Sequence, residues 1–595
     1  MRIVDRLEHH KTKTGVPQEV VRRDLSKLGI EPYVKDYEQA RHNFSWKHIE
    51  EQFSWHKTGK VNAAFECVDR HAETWRKNKV ALYYSDDSRK EEYTFQQMST
   101  LSNKFANVLK KYEVQKGDRV FLFLPRAPEL YVSFLGIIKT GAIVGPLFEA
   151  FMEDAVRDRL QDSAATVLVT NPELLKRVPL KEIPSLKHII LVGDDLSKHK
   201  LAHNEHSYSE EMAKAPEKFD MEWVGLEDGL ILHYTSGSTG KPKGALHVHN
   251  AMIGHYATGK LTLDLHEEDI YWCTADPGWV TGTSYGIFAP WLNGISMVIR
   301  GGRFDIDKWY QTVQDYKVSI WYSAPTAFRL LMAAGDEKVA QYDFFSIRHI
   351  YSVGEPLNPE VVKWGLKVFK KTIMENWWMT ETGMQLICNF AGMPLKLSSM
   401  GKSFPGTEAA IIDAEGNRLK PYEIGDLAVK KGWPSMMRQI WNNPKKYAEY
   451  FRGKDKEWYV SGDSAYQDEE GYFFFEGRID DVIKTSGERV GPFEVESALL
   501  EHKAVAEAGV IGKPDLIRGA IIKAFVVLKK HHKPSEELKT ELMEFVKLKL
   551  AAHAKPREVE FLEKLPKTRS GKIMRRVLRA KELGLPMGDL STMED

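Results

Sequence analysis

Residues 119–124, RVFLFL, form an apolar strand-like run; residues 127–139 are apolar and helix-like, and residues 142–148 read as a second strand. Strand, helix and strand in that order make a βαβ unit, because two parallel neighbours need a crossover long enough to hold a helix. The same alternation recurs through residues 166–192, 319–331 and 347–353. An α/β architecture follows.

The chain is 595 residues long, about four single-core lengths, so it divides into at least two independently packed units. After residue 401 the texture changes: Gly, Pro and Asp punctuate short apolar runs at 408–412, 426–429 and 472–475, the pattern of a small β-rich unit. A helix-like segment at 492–500 then opens a mixed α/β tail. The expected division is an N-terminal extension over 1–75, a large α/β domain with the β-rich unit over 76–479, and a mobile α+β C-terminal domain over 480–595, with Asp480 at the boundary.

Composition removes several classes of function. Hydrophobic residues make up 43% of the chain, with 15 Trp, 23 Tyr and 27 Phe, enough apolar surface to offset chain entropy and exclude general disorder. Lys plus Arg total 84 against 83 Asp plus Glu, so no global field draws the chain to nucleic acid or to an anionic membrane. Cys67, Cys273 and Cys388 form no CxxC pair, which gives neither a disulfide framework nor a local thiolate zinc site. The first residues are too charged for a signal peptide, and the apolar stretch 131–151 is interrupted by Lys139, Pro146 and Glu149. A soluble cytoplasmic protein without nucleic-acid or membrane partners is expected.

Residues 234–244, YTSGSTGKPKG, place three glycines, four Ser or Thr hydroxyls and two lysines after the apolar run 230–232. Such a loop presents N–H groups, hydroxyls and ammonium charge to phosphate. It is not a Walker A loop, since only two residues separate Gly237 from Gly240 and a proline follows Lys241. Read alone, it serves equally as a flexible surface turn.

Further motifs stand in order behind it: Gly354-Glu355-Pro356, WWMTETG at 377–383, YVSGDSAY at 459–466, GRIDD at 477–481 and PKTRSGKIMRR at 566–576. The set resembles the adenylate-forming superfamily of acyl-CoA synthetases, luciferases and nonribosomal-peptide adenylation domains. Within it, VNAAFECVDRH at 61–71, PGWVTG at 277–282 and SGKIMRR are most similar to the AMP-forming acetyl-CoA synthetases.

That resemblance implies a reaction of ATP, acetate and CoA through acetyl-adenylate, and it implies roles. Charge that develops on phosphoryl oxygens must meet prearranged donors and a metal. Thr380 matches the threonine that contacts the α-phosphate, and Glu381 the carboxylate that helps hold Mg²⁺. Thr235, Ser236, Gly237, Ser238, Thr239, Gly240 and Lys243 match the pyrophosphate loop, and Gly354, Glu355 and Pro356 the adenine site. Asp463 matches the aspartate that grips the ribose hydroxyls, a task for an acceptor-only side chain. Arg478 is a second ribose contact, and Arg489 is a further nucleotide contact. Lys572 matches the lysine that bridges the carboxylate and the α-phosphate, delivered and withdrawn on a mobile domain. Asp480 becomes the hinge, and Ser486 and Gly487 line the pantetheine tunnel for CoA.

Val280, Thr281, Val353 and Trp378 match the acyl pocket, where an indole leaves room for one or two carbons. This points to acetate, with propionate or another short-chain acid as the alternative. Residues 148–151 read FEAF where many relatives have FGGF beside the CoA nucleotide, and Met379 replaces a common glutamine. The run from Lys564 to Lys581 holds eight Lys or Arg and no acid. Phosphate-rich substrates account for that charge, and its exposed setting resembles sites of protein acetyltransferases, with a deacetylase as the matching partner. Residues 282–286 match the GxSxG hydrolase elbow, but the preceding PGWVT is a poor strand. An amino-acid adenylation module would need an acidic anchor and a carrier serine motif, and neither is present. A catalytically silent nucleotide-binding relative is the remaining alternative.

Overall fold

A computed structural model of the chain describes all residues except 1–4, 12–16, 194–195, 197–198, 236–241, 479–480, 486–487, 516–517, 569–570, 588–589, 591–592 and 594–595. The predicted βαβ unit is present: strand Arg119–Phe123, helix Pro128–Lys139 and strand Ile143–Pro146, the two strands parallel. Proline opens the helix at its first turn, where its missing N–H is harmless. The stretch of near-span length is therefore a buried helix running into a buried strand. Among the described residues no helix is long and apolar enough to cross a membrane.

Two sheets carry the large part of the molecule. In the first, the strands from Gly229–Thr235 through Ile143–Pro146, Arg119–Phe123, Val167–Thr170 and His188–Leu191 to Glu205–Ser207 run parallel. In the second, Ile373–Trp377, His349–Ser352, Ile320–Ser323, Ile270–Cys273, Ser296–Arg300 and Val80–Ser85 form a parallel centre. Their residues are nearly all buried, as a parallel sheet covered on both faces requires.

The β-rich stretch after residue 401 is hydrogen-bonded into this second sheet. The short strand Ile387–Cys388 pairs antiparallel with Ile373–Trp377 and with Ser399–Ser403, which in turn pairs with Phe473–Arg478. Strands Trp458–Gln467, Gly425–Lys430 and Ala409–Ile412 extend the edge. The N-terminal strands Asp5–Lys11 and Pro17–Arg23 pair with each other, and Pro17–Arg23 also pairs with Leu395–Lys396.

The C-terminal part has its own core. Strands Val505–Asp515, Gly519–Leu528 and Glu558–Phe561 form a small sheet against helices Pro492–Leu500, Glu536–Lys549 and Arg575–Leu583. Val495, Leu499, Val510, Val526, Leu542 and Val546 are buried between them.

Candidate active site

The carboxyl ends of the parallel strands deliver most of the predicted residues to one place, as expected of open α/β sheets. Val353, Gly354, Glu355 and Pro356 follow His349–Ser352, and Trp378, Thr380 and Glu381 follow Ile373–Trp377. Val280 and Thr281 open a short helix after Ile270–Cys273. Gly278 brings this segment against Phe148 at the carboxyl end of Ile143–Pro146, where a Cβ would collide with the Phe148 backbone. The carboxyl ends of the two sheets meet there.

The turn that carries Thr380 and Glu381 is held by its carbonyl groups. His247 Nε2 donates to the Thr380 carbonyl at 2.8 Å, and the Met437 amide to that of Glu381 at 3.0 Å. Trp433 Nε1 donates to the Thr382 carbonyl at 2.8 Å and His255 Nε2 to that of Gly383 at 2.9 Å. Four successive acceptors are thus satisfied, and the turn is fixed before any ligand arrives. The Glu381 carboxylate accepts a hydrogen bond from the Tyr450 hydroxyl at 3.0 Å. Burial, with Lys446 nearby, pushes Lys243 below the ordinary lysine range, while Glu381 and Glu449 act in the opposite sense.

Asp463 and Arg478 face each other across paired antiparallel strands. Arg478 Nη1 donates to Asp463 Oδ1 at 2.8 Å, and Trp377 Nε1 donates to Asp463 Oδ2 at 2.8 Å. The second bond ties the carboxylate to the end of the central parallel strand.

Trp378 is buried and its indole N–H donates to the Tyr322 hydroxyl at 3.2 Å. That hydroxyl also receives Gln385 Nε2 at 3.1 Å and donates to Asn376 Oδ1 at 2.9 Å. The Tyr285 ring meets the indole edge-on at 4.9 Å between centroids. An aromatic wall held at both its polar and its apolar side gives little to a larger guest.

Lys572 opens onto a cleft between the large part and the C-terminal part, lined also by Arg329, Glu355, Pro356, Asn358 and Arg575. Its side chain is exposed to that cleft and surrounded by protein elsewhere. Burial and then Arg478 push its ammonium below the ordinary lysine range, against the pull of Glu355 and Asp463. Three predicted site residues therefore lie within electrostatic reach of it. Burial alone would raise the Glu355 carboxyl; the Arg329 guanidinium and the Thr326 hydroxyl outweigh it and hold the carboxyl low.

Two cations of the basic run are paired with acids from other segments: Arg575 bidentately with Glu496 at 2.5 and 2.9 Å, and Lys567 with Glu507 at 2.6 Å, while Lys564, Lys572, Arg579 and Lys581 remain exposed. Ser236, Gly237, Ser238, Thr239, Gly240, Asp480, Ser486 and Gly487 lie outside the described residues, as does the side chain of Arg489. Thr235 ends strand Gly229–Thr235 and Lys243 begins strand Lys243–Val248, so the two strands bracket the glycine-rich loop. The GxSxG match sits in helical turns, Val280–Thr283 and Ser284–Phe288, with Ser284 buried. No strand-to-helix elbow exposes it, which removes the hydrolase reading.

The family profile described as AMP-binding enzyme matches residues 68–441, and that of the AMP-binding enzyme C-terminal domain matches 494–572. The chain belongs to the AMP-binding enzyme family. An acetyl-coenzyme A synthetase of Bacillus subtilis (strain 168) is 63% identical over 563 residues, covering 94% of this chain and 98% of the relative. One from Methanothrix thermoacetophila is 40% identical, covering 91% of this chain and 86% of the relative. Among solved structures, an acyl-CoA synthetase of Brucella canis superimposes with a TM-score of 0.72 at 34% identity, over 93% of this chain and 99% of that one. An anthranilate CoA ligase in complex with anthranoyl-AMP gives 0.81 at 31% identity, over 88% and 98%.

In this AMP-binding enzyme the residues that hold the site escaped the reading of motifs. Tyr450 and His247 act on Glu381 and Thr380 from segments outside the motifs, and Trp377, inside WWMTETG, acts on Asp463 from a motif read only for its threonine and glutamate. Thr326 and Arg329 had a usable signal: they follow the apolar run IWYS directly, at the carboxyl end of a predicted parallel strand.

Proposed function

We propose that the chain is an acetate–CoA ligase, which converts ATP, acetate and CoA to AMP, diphosphate and acetyl-CoA through acetyl-adenylate. The observation that carries this reading is Lys572 in a cleft with Asp463, Arg478 and Glu355 within its electrostatic reach. In the first step a carboxylate oxygen of acetate attacks the α-phosphorus of ATP, the bond to the β-phosphate breaks, and diphosphate leaves. The Lys572 ammonium, the Thr380 hydroxyl and the donors of the glycine-rich loop offset the charge on the phosphoryl oxygens. Asp463 and Arg478 orient the ribose. In the second step the CoA thiolate attacks the acyl carbon, the bond to the phosphate oxygen breaks, AMP leaves, and the thiol proton passes to solvent.

Glu381 fits a magnesium ion that takes its other oxygens from ATP and water, since such ions use one or two carboxylates beside substrate phosphates. Among the described residues no group of three or more acidic, His or Cys side chains gathers to hold a metal without substrate. The ion, when bound, supplies positive charge at the phosphates. Acetylation of Lys572 would remove its charge and stop the first step, so a protein acetyltransferase and a deacetylase are the regulatory partners of this reading. The three free, buried cysteines suit a reducing cytoplasm.

Trp378 argues for acetate within the acyl-CoA ligases. A carboxylate panel tests this, scored for pyrophosphate exchange into ATP and for CoA-dependent AMP release. Acetate should be best, propionate second and butyrate weak, because one methylene shifts discrimination by about 1–3 kcal/mol. Trp378→Gly should move the optimum to longer chains. A wild type that prefers butyrate would overturn Trp378 as the pocket floor.

A further inference from the structure

The reaction as described leaves unused a polar cluster beside Lys572, made of Thr326, Arg329 and Asn358 on the large part. Arg329 Nη1 donates to Asn358 Oδ1 at 3.2 Å; its Nη2 donates to Thr326 Oγ1 at 2.8 Å and to Glu355 Oε2 at 2.6 Å. One guanidinium thereby fixes three side chains. Two of them reach the C-terminal part. The Thr326 hydroxyl shares its one proton between Glu355 Oε1 at 2.8 Å and the carbonyl oxygen of Gly571, the residue before Lys572, at 3.2 Å. Asn358 Nδ2 donates to Ser497 Oγ at 3.0 Å, on helix Pro492–Leu500.

The approach at Gly571 is close. This glycine has φ +88°, and a Cβ there would collide with Thr326 Cγ2. Any other residue would both strain the backbone and push Thr326 away. The turn itself is shaped within the C-terminal part: Thr568 N donates to the Lys572 carbonyl at 2.8 Å, and Lys572 N donates to Thr568 Oγ1 at 3.0 Å. Thr326 therefore touches the residue directly before Lys572.

The ion pairs nearby each lie within one part. Arg329 pairs with Glu355 on the large part; Arg575 pairs with Glu496, and Lys567 with Glu507, on the C-terminal part. Both contacts from the cluster to the C-terminal part join neutral groups. Water replaces a neutral hydrogen bond at small net cost, whereas parting a buried ion pair leaves desolvated charge behind. These contacts suit an attachment that is made and released in every turnover.

We propose that Thr326, Arg329 and Asn358 form a docking cradle that holds the C-terminal part with Lys572 facing the nucleotide for adenylate formation and lets it go for thioester formation. The inference rests on the two-step reading above. The three are positioning residues, and Ser497 and Gly571 are what they hold. Arg329 and Thr326 also touch Glu355, so the cradle links the Gly354–Pro356 segment to docking of the other part.

The test uses the full-length enzyme and measures two half-reactions: acetate-dependent pyrophosphate exchange, and acetyl-CoA formation from supplied acetyl-AMP and CoA. Thr326→Val, which keeps the side-chain volume, should slow exchange at least about tenfold, and Ser497→Ala about threefold, the scale of single neutral hydrogen bonds. Acetyl-CoA formation from acetyl-AMP should stay at the wild-type rate in Ser497→Ala, and in Thr326→Val, which also touches Glu355, it should fall less than exchange does. Ser497→Ala touches nothing of the nucleotide segment, so its KM for ATP should not change, and Ser497→Thr should restore exchange. Equal losses in the two half-reactions, or unchanged exchange in the Thr326→Val, Ser497→Ala double variant, would overturn the cradle. A wild type without acetate-dependent exchange would overturn the two-step reading itself.

Discussion

In the proposed reaction Lys572 works as a charge, and its surroundings decide over what pH range it carries one. Burial and Arg478 favour the neutral amine; Glu355 and Asp463 favour the ammonium, and the net shift is downward. The charge is present below the lowered pKa and is lost as pH rises through it. The alkaline limb of kcat/KM for ATP, which reports the free enzyme, should therefore fall below the ordinary lysine value of about 10.4. Lys572→Arg should be slower but should lose that limb, since a guanidinium stays charged. The same limb in the Arg variant would assign it to another group. Thr380, Glu381, Asp463 and Lys572 could be singled out in the sequence because the proposed chemistry fixes residue type within short motifs. Their supports could not: Trp377 and Asp463 are 86 positions apart, and Tyr450 and Glu381 are 69 apart. Only the folded chain pairs an indole or a phenol with a carboxylate at such separations.

Strands and helices of ordinary length were read from the sequence nearly to the residue, as with strand Arg119–Phe123 and helix Pro492–Leu500. Continuity between elements was harder to see. The join between the parallel centre and the β-rich stretch passes through Ile387–Cys388, two residues that carry no periodicity, so one sheet reads as two units. The segment 280–288 likewise hides its helical turns behind glycines and a nucleophile-like serine. The proposed hinge is an element-scale device. Strand Phe473–Arg478 ends on the large part just before Asp480, and the hairpin Ile483–Thr485 with Glu488–Val490 begins just after it. Asp480→Pro fixes φ near −65° and should slow thioester formation at least about tenfold while adenylation persists. Loss of adenylation alone would place the hinge elsewhere.

As a whole, the molecule sets the proposed nucleotide site, at the carboxyl ends of two sheets, against a smaller part that carries Lys572. The two steps need different nucleophiles, a carboxylate and then a thiolate, at the same acyl group. In the proposed reaction Lys572 is required where charge builds on the α-phosphoryl oxygens and has no task once the adenylate exists. The direct measurement is Lys572→Ala, assayed for acetate-dependent pyrophosphate exchange and for acetyl-CoA formation from supplied acetyl-AMP and CoA. Exchange should be abolished while acetyl-CoA formation stays close to wild type. Equal loss of both, or exchange that survives, would contradict the account.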